Sequence, residues 1–384
     1  MKTKETKKGV CVEGFKAAGV RKGKYGLALI SCDKVCATAG VFTKNSVKAA
    51  PVLLTKSAVK SGIQAIVANS GSANACVKDG VEDAKKMAEL TANAVRIKTS
   101  NVGVASTGII GRRLDMKLVS SLIEKASKKL SKSSKGSLDA AKAIMTTDTK
   151  PKQVSIEHKG LQVGGICKGA GMLEPNMATM LCFITTNAKL SNKQLQTALK
   201  RSVDKSFNMT VVDADMSTND TVLLLSSGKK KCSTTVFQTL LDYVTLKLAK
   251  MMVMDAEGAS KYFEVEINNA RDSNSARKAA KSVVSSSLVK TALYGENPNW
   301  GRIEAAIGSK IKISAMKLTI TLKSSRGSVR VFDRGVVGNL EKARKILKDK
   351  EIYMKVNLRL GSSSAKAFGC DLTEKYVKIN AGYN

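Results

Sequence analysis

Short apolar runs alternate with amphipathic stretches along the whole chain. Residues 27–31 (LALIS), 65–68 (AIVA) and 102–105 (VGVA) are apolar, partly β-branched and bounded by turn residues, which predicts strands. Residues 45–60 and 81–95 predict helices. In the second, Val81, Ala84, Met87, Ala88, Ala92 and Val95 fall on one broad face. Residues 117–130 form another amphipathic pattern, and 131–137 (SKSSKGS) after it reads as a polar loop. Residues 154–166 (VSIEHKGLQVGGI) read strand, turn, strand, with His-Lys-Gly at the tip. A strand follows at 183–186. Next come a helix at 191–206 with Ser191 as its N-cap, a buried strand at 221–225 and a long helix at 236–254. Alternating runs return at 311–314, 318–323, 329–332, 352–360 and 376–379. Strands and helices mix without a regular βαβ beat. The expected class is α+β or layered α/β, with helices covering sheet faces.

Composition narrows the function classes. The chain has 384 residues, 43% hydrophobic and 25% charged, which excludes a mainly disordered, collagen-like or coiled-coil chain. No apolar run approaches a membrane span, and the lysine-bearing start lacks the apolar stretch of a secretory signal, so a cytoplasmic protein is expected. The eight cysteines are scattered and read as buried thiols rather than a disulfide framework. With one histidine, His158, no metal site is expected. The formal charge of +34 would attract polyanions. Yet the lysines are spread along the chain, aromatics are only 4%, and no nucleic-acid motif is present, so the charge reads as a solvated surface without a specific nucleic-acid partner.

Catalytic arrangements can be tested by subtraction. A Ser-His-Asp or Cys-His system needs an imidazole, and only His158 at a turn tip is available. The phosphate-loop pattern is absent, and KGAG at 168–171 fails the dinucleotide fingerprint because position 174 is Glu. DADMSTND at 213–220 begins like a calcium loop. It has Thr218 and Leu224 where such a loop needs Gly and Glu. Residues 164–186 (GGICKGAGMLEPNMATMLCFITT) behave differently: four glycines precede Ala178-Thr179 at the start of an apolar run. A Thr acts without histidine when its own α-amino group is free, with a pKa of roughly 7.7–8.0, to take the hydroxyl proton. That requires cleavage just before Thr179; an inward-pointing Thr of a core strand fits the same residues. Residues 104–111 (VASTGIIG) either expose a hydroxyl and N–H groups to a developing oxyanion or simply turn from strand to helix.

Taken together, these segments resemble the glutamate N-acetyltransferase family of arginine biosynthesis, also called ornithine acetyltransferase. Ten landmarks occur in family order. They are 14–20 (GFKAAGV), 41–52, 69–76 (NSGSANAC), 106–111 (STGIIG), 145–152 (MTTDTKPK), 168–181, 217–225 (STNDTVLLL), 255–265 (DAEGASKYFEV), 294–303 (YGENPNWGRI) and 369–383. The resemblance implies a precursor that cuts its own Ala178–Thr179 bond, giving an α chain of 1–178 and a β chain of 179–384. Thr179 is then the nucleophile of a ping-pong acetyl transfer from N-acetylornithine to glutamate, with no cofactor. Use of acetyl-CoA as a second donor is left open. Thr107 and Gly108 match the oxyanion pair, and Thr146, Lys168, Thr179, Glu257 and Asn380 match substrate-binding positions. Without the family, Lys168 and Glu257 would read as surface charges. Relatives usually continue past the terminal Tyr to a substrate-touching Ser or Thr. Here Asn384 directly follows Tyr383, so Asn384 stands in for that contact or it is missing. Asn297 replaces a common Asp. The implied fold is an αββα sandwich, similar in logic to N-terminal-nucleophile hydrolases but of different topology, and the implied assembly is an α₂β₂ heterotetramer. Competing readings are an amidase or aminopeptidase on a related scaffold and a basic nucleic-acid-binding protein that kept it.

Overall fold

The structure, a computed structural model, describes residues 2–172 and 180–382. In chain order its first elements are β1 (Lys4–Thr6), β2 (Phe15–Lys22), β3 (Tyr25–Phe42), α1 (Ala50–Ser61), β4 (Ile63–Ser72), α2 (Gly80–Val95), β5 (Val102–Ile109), α3 (Met116–Lys128), α4 (Ser134–Ala143), β6 (Lys152–His158), β7 (Leu161–Lys168) and β8 (Leu181–Ala188). These are followed by α5 (Asn192–Lys205), β9 (Thr210–Val211), β10 (Thr221–Lys230), α6 (Thr234–Met254), β11 (Tyr262–Ala270), α7 (Ser273–Ser285), α8 (Ser287–Tyr294) and α9 (Trp300–Gly308). The chain finishes with β12 (Thr319–Ser324), β13 (Gly327–Asp333), β14 (Val336–Val337), α10 (Leu340–Leu347), β15 (Glu351–Asn357), β16 (Ser363–Cys370) and α11 (Glu374–Ala381). They form two compact units: Met1–Asn208 with Asp215–Met252, and Met209–Ala214 with Val253–Asn384. This division differs from the expected covalent cut after residue 178, which lies outside the described residues.

The first unit is built on the long strand β3. Its early half pairs antiparallel with β2 and β4, and its late half with β10. One strand therefore serves two layers, β2-β3-β4-β5 and β1-β6-β7-β8-β10-β3. Phe15, Ala28, Ile30 and Ile66 of the first layer and Ile166, Leu181, Phe183, Leu223 and Leu225 of the second share one buried core, into which α4 inserts Ala140 and Ala141 and its C-cap inserts Ile144. The far face of the first layer, with Leu27, Leu29, Val67 and Val104, is covered by Met87 and Ala88 of α2 and Val119, Leu122 and Ile123 of α3. On the other side, α5 and α6 bury Leu195, Leu199, Phe237, Leu241 and Leu248, and Leu248 lies against Cys167 and Gly165 of β7. The order helix, sheet, sheet, helix is the expected αββα sandwich. Each inner strand is apolar on both faces because both are covered.

The second unit is a seven-stranded sheet in the order β14-β13-β12-β15-β11-β16-β9. One face is packed by α7, which buries Ala276, Ala279, Ala280, Val283 and Val284 at helical spacing. The single Trp300 opens α9 and stacks on Phe332 of β13 at 4.2 Å between ring centroids.

Most predicted elements appear within a few residues of their expected bounds. The expected N-cap at Ser191 is a full capping box with Gln194. The hairpin tip falls at Lys159 and Gly160, both at positive φ, and His158 lies half-buried at the strand end with its Nδ1 at 2.7 Å from the Lys2 carbonyl. Four expectations are corrected. The helix expected from 45 starts at Ala50, because Asn45 is tied up outside it: its side chain bonds the Val47 N–H and the Met216 carbonyl. The expected loop at 131–137 contains the first turn of α4, because the Ser133 hydroxyl caps the Gly136 N–H. Residues 311–314 are no strand; the Ile311 N–H still bonds the Ile307 carbonyl as the tail of α9. Residues 376–379 belong to α11, capped by Thr373, whose hydroxyl accepts the Tyr376 N–H.

Candidate active site

The parallel pair β4 and β5 runs in register from Ala65 opposite Val102 to Gly71 opposite Gly108, where the register shifts. Three side chains pin this end. Asn69 accepts the Ser106 hydroxyl at 2.5 Å and donates to the Ser72 carbonyl, while Asn219 donates to the carbonyls of Ala73 and Ser106. All of these groups are buried, and their hydrogen bonds hold Thr107 and Gly108 in one geometry.

Gly108 has φ +131°, and a Cβ there would sit 2.4 Å from the Gly71 carbonyl carbon and 2.6 Å from the Ser72 nitrogen. Those are backbone atoms of the paired strand and cannot swing aside. Gly108→Ala is expected to lower stability by about 1–3 kcal/mol through backbone strain and overpacking. A thermal melt checks the loss, and an assay of whatever reaction this site performs checks whether the folded remainder is also impaired.

Thr107 is 3% exposed, and its Oγ1 accepts a hydrogen bond from the Lys168 ammonium at 3.2 Å. An ammonium has only donors, so the Thr107 oxygen is the acceptor and its own proton is directed elsewhere. A hydroxyl polarised in this way is a stronger donor to a developing negative charge. Lys168, at the end of β7, is itself 3% exposed and so is no surface charge.

Behind it lies Asp148. Its Oδ1 accepts the Gly169 N–H at 2.8 Å and the Lys152 ammonium at 2.6 Å, and its Oδ2 accepts the Thr146 N–H at 3.1 Å. The Asp148 and Lys152 side chains are 0% and 1% exposed. Burial alone would raise the Asp148 carboxyl. The charges of Lys168 and Lys152, with the Lys152 and Gly169 hydrogen bonds, outweigh it and hold the group below its ordinary value. One carboxylate thus ties the half-buried Thr146 to the residue that follows Lys168.

In the second unit, the Asn380 amide donates to Glu257 Oε2 at 2.9 Å. The Glu257 loop is docked on the start of α11. The Thr373 hydroxyl donates to the Gly258 carbonyl, and a Cβ on Gly258 would meet the Tyr376 nitrogen at 2.4 Å. Of the residues expected from the sequence, Thr107, Gly108, Lys168 and Thr146 gather in the first unit, and Glu257 and Asn380 pair in the second. Ala178, Thr179 and Asn384 lie outside the described residues. Asp148, Lys152, Asn69 and Asn219 were not singled out, although each lies within a landmark segment. For Asn69 and Asn219 the signal was an amide side chain inside an otherwise small-residue or apolar run, whereas Asp148 and Lys152, in MTTDTKPK, carried none. Among the described residues, no group of three His, Cys, Asp or Glu side chains could hold a metal ion, and no helix is long and apolar enough to cross a membrane.

The family model that matches, the ArgJ family, covers residues 13–384. A relative from Methanocaldococcus jannaschii, named glutamate N-acetyltransferase, is 45% identical over 391 residues, 97% of this chain and 97% of its own. A second, from Thermotoga neapolitana, is named arginine biosynthesis bifunctional protein ArgJ; it is 46% identical, over 96% of this chain and 98% of its own. With the match spanning both units and all ten landmark segments, the chain belongs to the ArgJ family and is an acyltransferase.

Proposed function

We propose that this chain is a glutamate N-acetyltransferase that moves the acetyl group of N2-acetyl-L-ornithine to L-glutamate through an ester on Thr179. The observation that carries this reading is the Lys168–Thr107 hydrogen bond beside Gly108. It supplies a buried, polarised hydroxyl next to a glycine that only an unsubstituted backbone can occupy, as stabilisation of a tetrahedral oxygen requires.

The precursor first cuts itself at Ala178–Thr179 into an α chain of 1–178 and a β chain of 179–384, which assemble as an α₂β₂ heterotetramer in the cytoplasm. The Thr179 hydroxyl attacks the acetyl carbonyl while its own amine takes the proton. Thr107 and Gly108 stabilise the oxyanion, and ornithine leaves. Glutamate then attacks the ester and departs as N-acetylglutamate. Lys168 attracts the α-carboxylate shared by both amino acids, with Thr146 beside it. Glu257, oriented by Asn380, suits the ornithine ammonium, and Asn384 is a candidate for a further substrate contact. Acetyl-CoA is a further candidate donor in the same acylation step.

The test is ornithine release from N-acetylornithine with and without glutamate. Release should be far faster with glutamate, and N-acetylglutamate should appear in equal amount. Equal release without glutamate would identify an amidase. No release, with tight salt-sensitive RNA binding by an uncut chain, would favour the nucleic-acid reading.

A further inference from the structure

The second unit carries a hollow that the acetyl-transfer steps above do not use. Its volume is about 380 Å³, and it lies on the open face of the seven-stranded sheet. On β15, Ile352, Met354 and Val356 are buried while Lys355 is exposed, so the two faces differ sharply. Strand register gathers the lining. Thr321 of β12 lies opposite Lys355 of β15 on one side and Arg330 of β13 on the other. One pleat further, Asn357 lies opposite Thr319 and Asn268. Arg359, just past β15, closes the hollow and donates to the Lys317 carbonyl at 2.7 Å and the Thr319 hydroxyl at 2.8 Å.

This lining is rich in donors and positive charge. Among the described residues no carboxylate lines it. The nearest, Asp333, is shared by Arg330, Arg334 and, at 3.8 Å, Arg359. It also accepts the Thr319 hydroxyl at 2.7 Å, which fixes the two lining guanidiniums. Glu266, opposite Lys355 on β11, is engaged by Lys366, and Lys355 has no ion pair among the described residues. Asn268 lines the hollow, and its Nδ2 is shielded from water with no acceptor among the described residues. A shielded amide without a partner is costly, and an entering oxyanion would supply the missing acceptor. The rim is held in an unusual conformation. Asn269 and Arg359 have φ of +55° and +50°, and the Asn269 amide and the Arg359 N–H both donate to Asn357 Oδ1, at 3.0 and 3.1 Å.

We propose that this hollow is a binding site for a small phosphorylated anion, with a diphosphate group as its best match. Guanidiniums suit phosphoryl oxygens in both charge and donor geometry. Lys355 and the three arginines around Asp333 leave more positive charge than one phosphate monoester, at about −1.5 to −2, would neutralise. No aromatic ring lines the hollow to stack a base, so recognition is of the phosphoryl groups, free or carried on an organic body. None of these residues takes part in acetyl transfer, so the site stands or falls independently of that reading.

Titration calorimetry of the full chain with inorganic pyrophosphate at fixed ionic strength tests this. Arg330→Gln with Lys355→Gln should weaken binding at least about tenfold, as loss of charge-assisted hydrogen bonds does. Lys132→Gln with Lys135→Gln removes the same charge from an exposed segment of the first unit and should change it less than about twofold. Asn268→Asp keeps the side-chain shape but turns the donor into a carboxylate, and should also weaken binding at least about tenfold. ADP in place of pyrophosphate separates the sources. Exclusion of ADP assigns a free anion and comparable affinity a carried diphosphate, and both support the site. Equal weakening by the two double variants would mean general attraction to a basic surface and overturns the proposal, as does the lack of saturable pyrophosphate binding. Should the Arg330/Lys355 variant not fold, Asn268→Asp decides, and unchanged binding there overturns it.

Discussion

Thr179→Ala is expected to remain one uncut polypeptide and to lose acetyl transfer by at least about a thousandfold, as nucleophile removals do in enzymes that act through covalent intermediates. Both losses have one cause. In the proposed mechanism the hydroxyl that opens the chain is the one that later carries the acetyl group, so its removal leaves neither an attacking oxygen nor a freed amine. Mass spectrometry reports the first loss and an ornithine-release assay the second. Fold is a control rather than a casualty, because Ala replaces one oxygen and one methyl. A Thr179→Ala chain that still yields fragments meeting at residues 178 and 179 would remove Thr179 from the mechanism. One that stays intact yet turns over normally would remove both cleavage and the Thr179 nucleophile from it.

The second large effect is expected at Asp148. Asp148→Ala leaves the Lys152 ammonium buried without its 2.6 Å partner and frees the Gly169 and Thr146 N–H groups. Breaking a buried pair from one side costs about 3–5 kcal/mol. Denaturant unfolding should show that loss, with catalysis falling further because Lys168 and Thr146 lose their common anchor. The pH dependence follows from the direction of the shift. The folded-state carboxyl lies below its unfolded value of about 3.9, so its stabilisation is complete above that value and is lost as pH falls towards the folded one. Acid unfolding of the wild type should therefore be steeper than that of Asp148→Ala, and equally steep curves would count against the pair. Replacing both partners with apolar residues, as in Asp148→Leu with Lys152→Met, should recover much of the stability but not the activity, since Lys168 and Thr146 would remain unanchored.

These two effects differ in how early they can be read. Thr179 stands out in the linear sequence because four glycines lead to a small residue and a hydroxyl at the mouth of an apolar run. Asp148 and Lys152 do not, since each alone resembles an ordinary solvated charge. Only the return of β6 and β7 places the 146–148 turn against Gly169 and makes burial of the pair possible. Lys168 shows the same contrast. Its neighbours in sequence say nothing of Thr107, 61 residues away, yet the layering of the two sheets brings the pair to 3.2 Å.

The elements themselves divide in the same manner. Strands 65–68, 102–105, 183–186 and 221–225 were legible because an apolar, β-branched run between turn residues has few other ways to be buried. Helix α7 was equally patterned, with apolar positions three and four apart, but its alanines carry a weak hydrophobic signal. Residues 376–379 alternate like a strand. A side-chain cap at Thr373 and the docking of the Glu257 loop make them helical, and local periodicity contains neither.

Local chemistry along the chain thus indicated the mixed, layered class and most of the strand and helix positions, because each depends on residues close in sequence, while the hydroxyl–glycine pair at 107 and 108 and the nucleophile proposed at 179 took their roles from the resemblance of whole segments to a family. The long strand β3 feeding two sheets and the carboxylate behind Lys168 came from contacts across tens to well over a hundred residues. For Asp148 the charges and hydrogen bonds packed beside it outweigh the cost of burial, and both are properties of the packed layers rather than of any segment within them.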